Sequence, residues 1–360
     1  MIDPTKTHQT LEYKHGRPLL AVRYAAAGGA IYFSAENTPP QRLVPGADGA
    51  EATVSPLEGG HDSWVMSIAV LPDGRGVVTA GYDGRLVWFD DAGETPQMVR
   101  AIEAHDGWVR SVAVSPDGRL LASCGNDRLV RLWDAADGSE LAVLSGHESH
   151  VYEVAWRPDG SAVVSCDLKG VVKEWDPSAG VLRRDIVTAE PLWKYDPTFR
   201  ADIGGARSIG FNTDGSQLAL GGITKVTNAF AGIGKPVIVL VDWEQPAVPD
   251  KVDQAADTAA SQGASTKAKA AEATGVRQLL GKGAGDGVCW GVAWHPEGFW
   301  IGQAGGGGGG WLRFFQPDAT EDFHAIKLPT NGRGMALSPD GTDVAVAMAD
   351  GFLRVYGLHG

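Results

Sequence analysis

With 360 residues, 43% of them hydrophobic, the chain can bury a sizeable core, and its 49 glycines, about double the usual share, point to turn-rich structure. Lys and Arg number 31 against 44 Asp and Glu, a net charge of −13 without a basic cluster, which repels a phosphate backbone, so no nucleic acid partner is expected. Cys124, Cys166 and Cys289 have neither disulfide nor metal-ligand spacing, the amino terminus lacks the apolar core of a secretion signal, and no run of about 18 apolar residues occurs, so a soluble, cytoplasmic protein without membrane insertion is expected.

The first candidate strand is THQTLEYKH, residues 7–15, a short alternating segment. A first unit, residues 16–59, follows as RPLLAVRYAAAGGAIYFSAEN, QRLV and EATVSPLEGGH. The next three units, 60–103, 104–145 and 146–200, are written from one template. His61, His105 and His147 open them at intervals of 44 and 42, the pairs Asp73-Gly74, Asp117-Gly118 and Asp159-Gly160 follow at one fixed offset, and Asp90, Asp134 and Asp176 close them. In the third unit Val112 and Val114, then Val130 and Leu132, alternate with the period of a strand; SPDG and GNDR read as turns, and SELAVLSG supplies a fourth strand.

Repeats of about 40 to 45 residues with an early His and an aromatic-Asp close are the signature of a four-stranded propeller blade. The fifth unit, 201–285, holds ARSIGFNTDGSQLALGG, PVIVLVDWE and VRQLLG; the sixth, 286–330, holds VCWGVAWHPEGFWIGQA, WLRFFQ and FHAIKL. The seventh, 331–360, has three strands only, so residues 7–15 are the expected donor of its outer strand. The expected fold is all-β: one domain, a seven-bladed propeller of four-stranded antiparallel blades closed by the N-terminal strand, which leaves no long exposed sheet edge.

On these residues the chain resembles the WD-repeat β-propeller family. The resemblance implies an internal blade network of a loop His, a second-strand Ser or Thr, a turn Asp and a third-strand Trp. His105, Ser123, Asp127 and Trp133 match it in full. The fourth unit keeps His147, Ser165 and Trp175 with Lys169 at the Asp position; the second keeps His61, Thr79 and Asp83 with Phe89 for Trp. The set recurs unit after unit, and an indole donor, an imidazole and a carboxylate satisfy one another inside an apolar blade, so the roles are structural rather than catalytic.

The resemblance also implies a non-catalytic scaffold that binds protein or peptide partners on the face carrying the blade connections. Its positions there are Trp64, Met66 and Tyr82; Trp108, Arg110 and Asn126; His150, Tyr152 and Leu168; and, in divergent units, Arg207, Trp290 and Arg333. Val65, Val109 and Val151 beside them supply the inward-facing side chains. Two insertions, 187–205 with Trp193, Tyr195 and Phe199, and 223–236, fall on the same face. Residues 244–275, poor in bulky apolar side chains, read as a flexible insertion on the opposite face. The hexaglycine Gly305 to Gly310 is followed by Trp311 and a strand rather than by the Lys and helix of a phosphate loop.

No catalytic set, metal site or cofactor is expected, and the propeller is expected to act as a monomer within a complex. Two rival functions remain. A lactonase-like or other hydrolase would need carboxylates and His converging on the central channel, whereas the first strands SVAVS, EVAWR and SIGFN are mostly small or apolar. A small-ligand or carbohydrate site would use Trp193, Tyr195 and Trp290 as an aromatic platform.

Overall fold

The computed structural model describes residues 2–360 apart from 48, 49, 75, 189, 199, 229–232, 245–275 and 307–308. Phe199 and, beyond Glu244, the insertion expected at 244–275 therefore lie outside the described residues. Seven four-stranded antiparallel sheets span residues 19–56, 65–103, 109–144, 151–188, 208–279, 288–328 and 332–357, the last completed from the amino terminus. These are blades 1 to 7. Blade 3 shows the pattern: Val109–Val114, Leu120–Gly125, Val130–Asp134 and Glu140–Leu144 pair in sequence order.

Period-2 alternation explains the stacking. Each second strand is apolar on both faces because each face meets a different neighbour. Leu121 packs with blade 2 and Ala122 with blade 4. Val163 packs with blade 3 and Val164 with blade 5. Trp300 and Ile301 divide in the same way between blades 5 and 7. The core is thus seven clusters, one between each pair of successive blades, and the cluster of Leu19, Val22 and Phe33 with Ala345, Leu353 and Val355 joins blade 7 to blade 1. Each large side chain buried there contributes about 1.5 to 3 kcal/mol.

Between first and second strands the repeated Asp-Gly pair makes the turn. Gly74, Gly118, Gly160, Gly215 and Gly341 hold φ of 71 to 75°, the left-handed region where a Cβ is strained. Ring closure is as expected from residues 7–15. His8–Lys14 pairs antiparallel with Phe352–Gly357, Leu11 opposite Val355 and Lys14 opposite Phe352, and Arg354 Nε donates to Glu12 Oε2 at 2.7 Å.

The two insertions expected on one face add β structure instead of loops. Glu190–Leu192 forms a 3-10 turn, after which Trp193–Asp196 and Ala201–Gly204 make a separate two-stranded sheet. Residues 223–228 and 233–236 continue the central hairpin of blade 5, so Gln217–Asn228 and Ile233–Asp242 outrun the described strands of every other blade. Lys194 Nζ donates to the Val226 carbonyl at 2.8 Å, tying the two projections together. Gly305 ends the second strand of blade 6, Phe299–Gly305, and Gly310 opens the third, Gly310–Phe315.

Candidate functional site

In blades 2 to 4 the blade network ties the entry loop to the turn between second and third strands. His105 Nδ1 lies 2.9 Å from Asp127 Oδ1 and Nε2 lies 2.7 Å from Ser123 Oγ, which accepts from Trp133 Nε1 at 2.8 Å. One proton placement satisfies all four groups: Nδ1–H donates to the carboxylate and the Ser123 hydroxyl donates to Nε2. Burial alone would raise the Asp127 carboxyl, but the hydrogen bond and charge of His105 and two backbone amides hold it below its ordinary value. In blade 2, His61 joins Asp83 at 3.0 Å and Thr79 at 2.8 Å. With Phe89 in place of the indole, the Thr79 hydroxyl lies 3.3 Å from the Val87 carbonyl.

Blade 4 corrects the sequence expectation. Lys169 occupies the turn-Asp position, yet His147 Nδ1 still meets a carboxylate, that of Asp167, at 3.1 Å, while Nε2 lies 2.7 Å from Ser165 Oγ and Trp175 Nε1 donates to the same oxygen. Asp167 stands where blades 2 and 3 carry Gly81 and Gly125. A Cβ at Gly81 would come within 2.4 Å of His61 Nδ1. That position can be side-chain-free or can itself bear the carboxylate; blade 4 takes the second course.

On the connecting face one geometry recurs. The residue just before the turn donates its amide to the carbonyl preceding the first strand: Tyr82 to Trp64 at 2.9 Å, Asn126 to Trp108 at 3.0 Å, Leu168 to His150 at 2.9 Å, and Glu36 to Pro18 at 3.0 Å. In blades 1 to 4 the residue two positions beyond that carbonyl sits at a register shift of the first strand. Such shifts fall at Leu20, Met66, Arg110, Tyr152, Trp290 and Arg333, of which Leu20, Met66, Trp290 and Arg333 line the channel. Arg207, which enters the first strand of blade 5, completes the ring. Val65, Val109 and Val151 point the other way and are fully buried, as expected.

The expected residues are therefore brought together, and most form one stacked row. Trp64 and Tyr82 stack at 6.4 Å, Tyr82 and Trp108 at 3.9 Å and 7°. The Arg110 guanidinium lies 4.8 Å from the Trp108 ring and 4.3 Å from that of Tyr152, and Arg207 lies 4.3 Å from Tyr152 and 5.9 Å from Trp290. Polar contacts hold the row at one end and at its middle: Trp64 Nε1 donates to Asn37 Oδ1, Arg110 Nε donates to Asn126 Oδ1 at 2.8 Å, and His150 Nδ1 lies 2.6 Å from the Asn126 carbonyl. Trp108 remains 41% exposed, and His150 is exposed too, so the row faces solvent.

Below the row runs the channel, about 440 Å³, lined in part by Met66, Ser111, Glu153, Arg207, Trp290 and Arg333. First-strand residues read as small or apolar do line it, but charges that sequence reasoning missed enter as well. Arg23 and Glu153 keep solvent contact through the channel although protein surrounds them. Burial pushes the Glu153 carboxyl up to about 8, against the opposing pull of Arg23, Arg207 and the Ser111 hydroxyl that donates to Oε2. Burial, aided by the like charge of Arg110, lowers the Arg207 guanidinium from its ordinary value. Arg333 Nη1 donates to Glu36 Oε1 at 2.6 Å.

Leu20, Glu36 and Asn37 also belong to the face and were missed. Blade 1 lacks the His and Trp that anchor an alignment, so only periodicity marked it. Trp193 Nε1 donates to Asp202 Oδ1 in its own hairpin, and among the described residues neither Trp193 nor Tyr195 makes a ring contact with Trp290. Among those residues no three His, Cys, Asp or Glu side chains converge as a metal site, and no helix is long and apolar enough to cross a membrane.

Comparison with known families matches the WD domain, G-beta repeat, at residues 54–90, 96–134 and 138–176. These segments run from the outer strand of blade 1 to the third strand of blade 4, where the His networks lie. No curated protein matches the chain.

Proposed function

We propose, from the premise that this chain is a WD-repeat β-propeller, that it is a non-catalytic scaffold binding protein or peptide partners on the face that carries the blade connections. Propellers of this family generally bind proteins and are generally not enzymes. One observation carries the choice of face: the stacked row from Trp64 to Trp290 lies partly exposed around the channel mouth, beside two projecting β elements. Trp, Tyr, Arg and Met are the side chains in which interfaces concentrate their energy.

The rival chemistries gain little support. Glu153 is the one carboxylate among the described channel-lining residues, whereas hydrolysis calls for converging acid, base or metal groups. We further place the protein in a reducing, cytoplasmic setting, where it acts as a monomer within a complex; the three unpaired cysteines support the setting. A photo-activatable residue in place of His150 is expected to cross-link a partner in cells, and the same residue in place of Arg119, on the opposite turns, is not. Cross-links to one partner from Arg119 alone would overturn the choice of face.

A further inference from the structure

The charges of the row are out of balance. Arg85, Arg131, Arg183, Arg184, Arg313 and Arg354 each reach a carboxylate within 4.0 Å. Arg110 and Arg207 reach none among the described residues: Arg110 has the neutral Asn126, and the buried Nη1 of Arg207 has no hydrogen-bond partner. Both guanidiniums approach the same Tyr152 ring at 4.3 Å, close enough for each to feel the other's charge. Two like charges in a partly dehydrated ring contact need a shared anion far more than surface arginines do.

An aromatic row more commonly welcomes a cation on its ring faces. Here those faces are already in use, since Tyr82, Trp108, Tyr152 and Trp290 each carry Arg110 or Arg207 within 6 Å. What both guanidiniums lack is a carboxylate within ion-pair distance: Glu153, in the channel, acts on Arg207 only at longer range and forms no ion pair with it among the described residues. A net charge of −13 penalises a highly charged anion at long range, yet salt screens that field within about 8 Å, leaving contact pairing to decide. A single negative charge on a short side chain fits both conditions better than a dianionic phosphate.

We propose that the face binds an acidic peptide segment, seating one Asp or Glu carboxylate beside Tyr152 between Arg110 and Arg207. The assignment rests on the partner-binding reading above. Arg guanidiniums pair bidentately with such a group, and the exposed part of Trp108, whose faces Tyr82 and Arg110 occupy, offers apolar contact to the rest of the segment.

The test uses the intact protein and a positional-scanning library of dodecapeptides, each pool fixed at one position with Glu, Asp, Gln, Lys, Leu or phosphoserine. Pools fixed with Glu or Asp should be retained about tenfold more than Gln pools. Arg207→Gln and Arg110→Gln should each abolish that preference, Arg207→Lys should keep part of it, and Arg119→Gln on the opposite turns should leave it intact, with melting temperature measured for each. Retention led by phosphoserine, Lys or Leu, or a preference that survives both Gln variants, overturns the carboxylate assignment. If neutral pools bind and Trp108→Ala releases them, the face stands while the carboxylate falls. If no pool binds in a way that Trp108→Ala weakens, both fall.

Discussion

Asp167 bears on how far a repeat template can be trusted at single positions. Alignment puts Lys169 at the turn-Asp site of blade 4, but the carboxylate that meets His147 is supplied two residues earlier and is 1% exposed. Asp167→Ala leaves His147 Nδ1 and the Lys169 and Val171 amides without their acceptor, and should cost about 1 to 3 kcal/mol in urea unfolding. Lys169→Ala should change stability by less than about 0.5 kcal/mol. The reverse order would return the role to Lys169. In blade 3 the matching carboxylate, Asp127, is held below its ordinary 3.8 by His105 and its amides despite burial. Such a group stabilises the fold above its unfolded pKa, and the contribution disappears as pH falls through the lower folded value. The stability gap between wild type and Asp127→Asn should therefore be full at neutral pH and close below about pH 4. A gap that persists into stronger acid would show that geometry, not charge, sets it. The full set His105, Ser123, Asp127 and Trp133 was legible because donors and acceptors recur at fixed offsets; the substitution by Asp167 was not, because the offset itself moves.

Strands announce themselves by alternation, and the missing fourth strand of the last unit was legible as residues 7–15 for that reason. Pairing of His8–Lys14 with Phe352–Gly357 covers the outer edge of blade 7, and Leu11 and Tyr13 pack onto the cluster joining blades 7 and 1. Removing residues 1–15 exposes that edge and leaves Arg354 with Asp350 alone, so melting temperature and solubility should both fall. Unchanged melting would show that the ring is held by the inner strands. Bulges were less legible. The shifts at Met66, Arg110 and Tyr152 insert no unusual residue, and their effect appears only once two strands are paired. The hairpin extension at 223–228 and 233–236 was hidden for a different reason: no other unit has a counterpart to align it with, although Ile223 and Val226 are buried and the Gly287 amide donates to the Gly234 carbonyl.

At the scale of the whole ring, seven equivalent interfaces make the barrel of blades nearly symmetric, while its two faces are not. The connecting face gathers the bulged residues, the stacked row and the paired projections around Lys194 and Val226. In the sequence the large polar insertion falls between Ile233–Asp242 and Val276–Leu279, the third and fourth strands of blade 5, whose facing ends, Asp242 and Val276, belong to the other face. If partner contact follows side-chain chemistry, it belongs to the first face, because interface energy concentrates in packed aromatic and Arg anchors and not in Ala- and Lys-rich sequence. Changing Trp108, Arg110 and Tyr152 together to Ala removes the centre of the row, and each such anchor accounts for about 2 kcal/mol or more. Capture of a partner identified by cross-linking should then fall by at least about a hundredfold, given that every 1.4 kcal/mol is about tenfold. Deletion of residues 248–272 should leave capture unchanged. Loss of binding in the deletion with retention in the triple variant would place the contact on the opposite face.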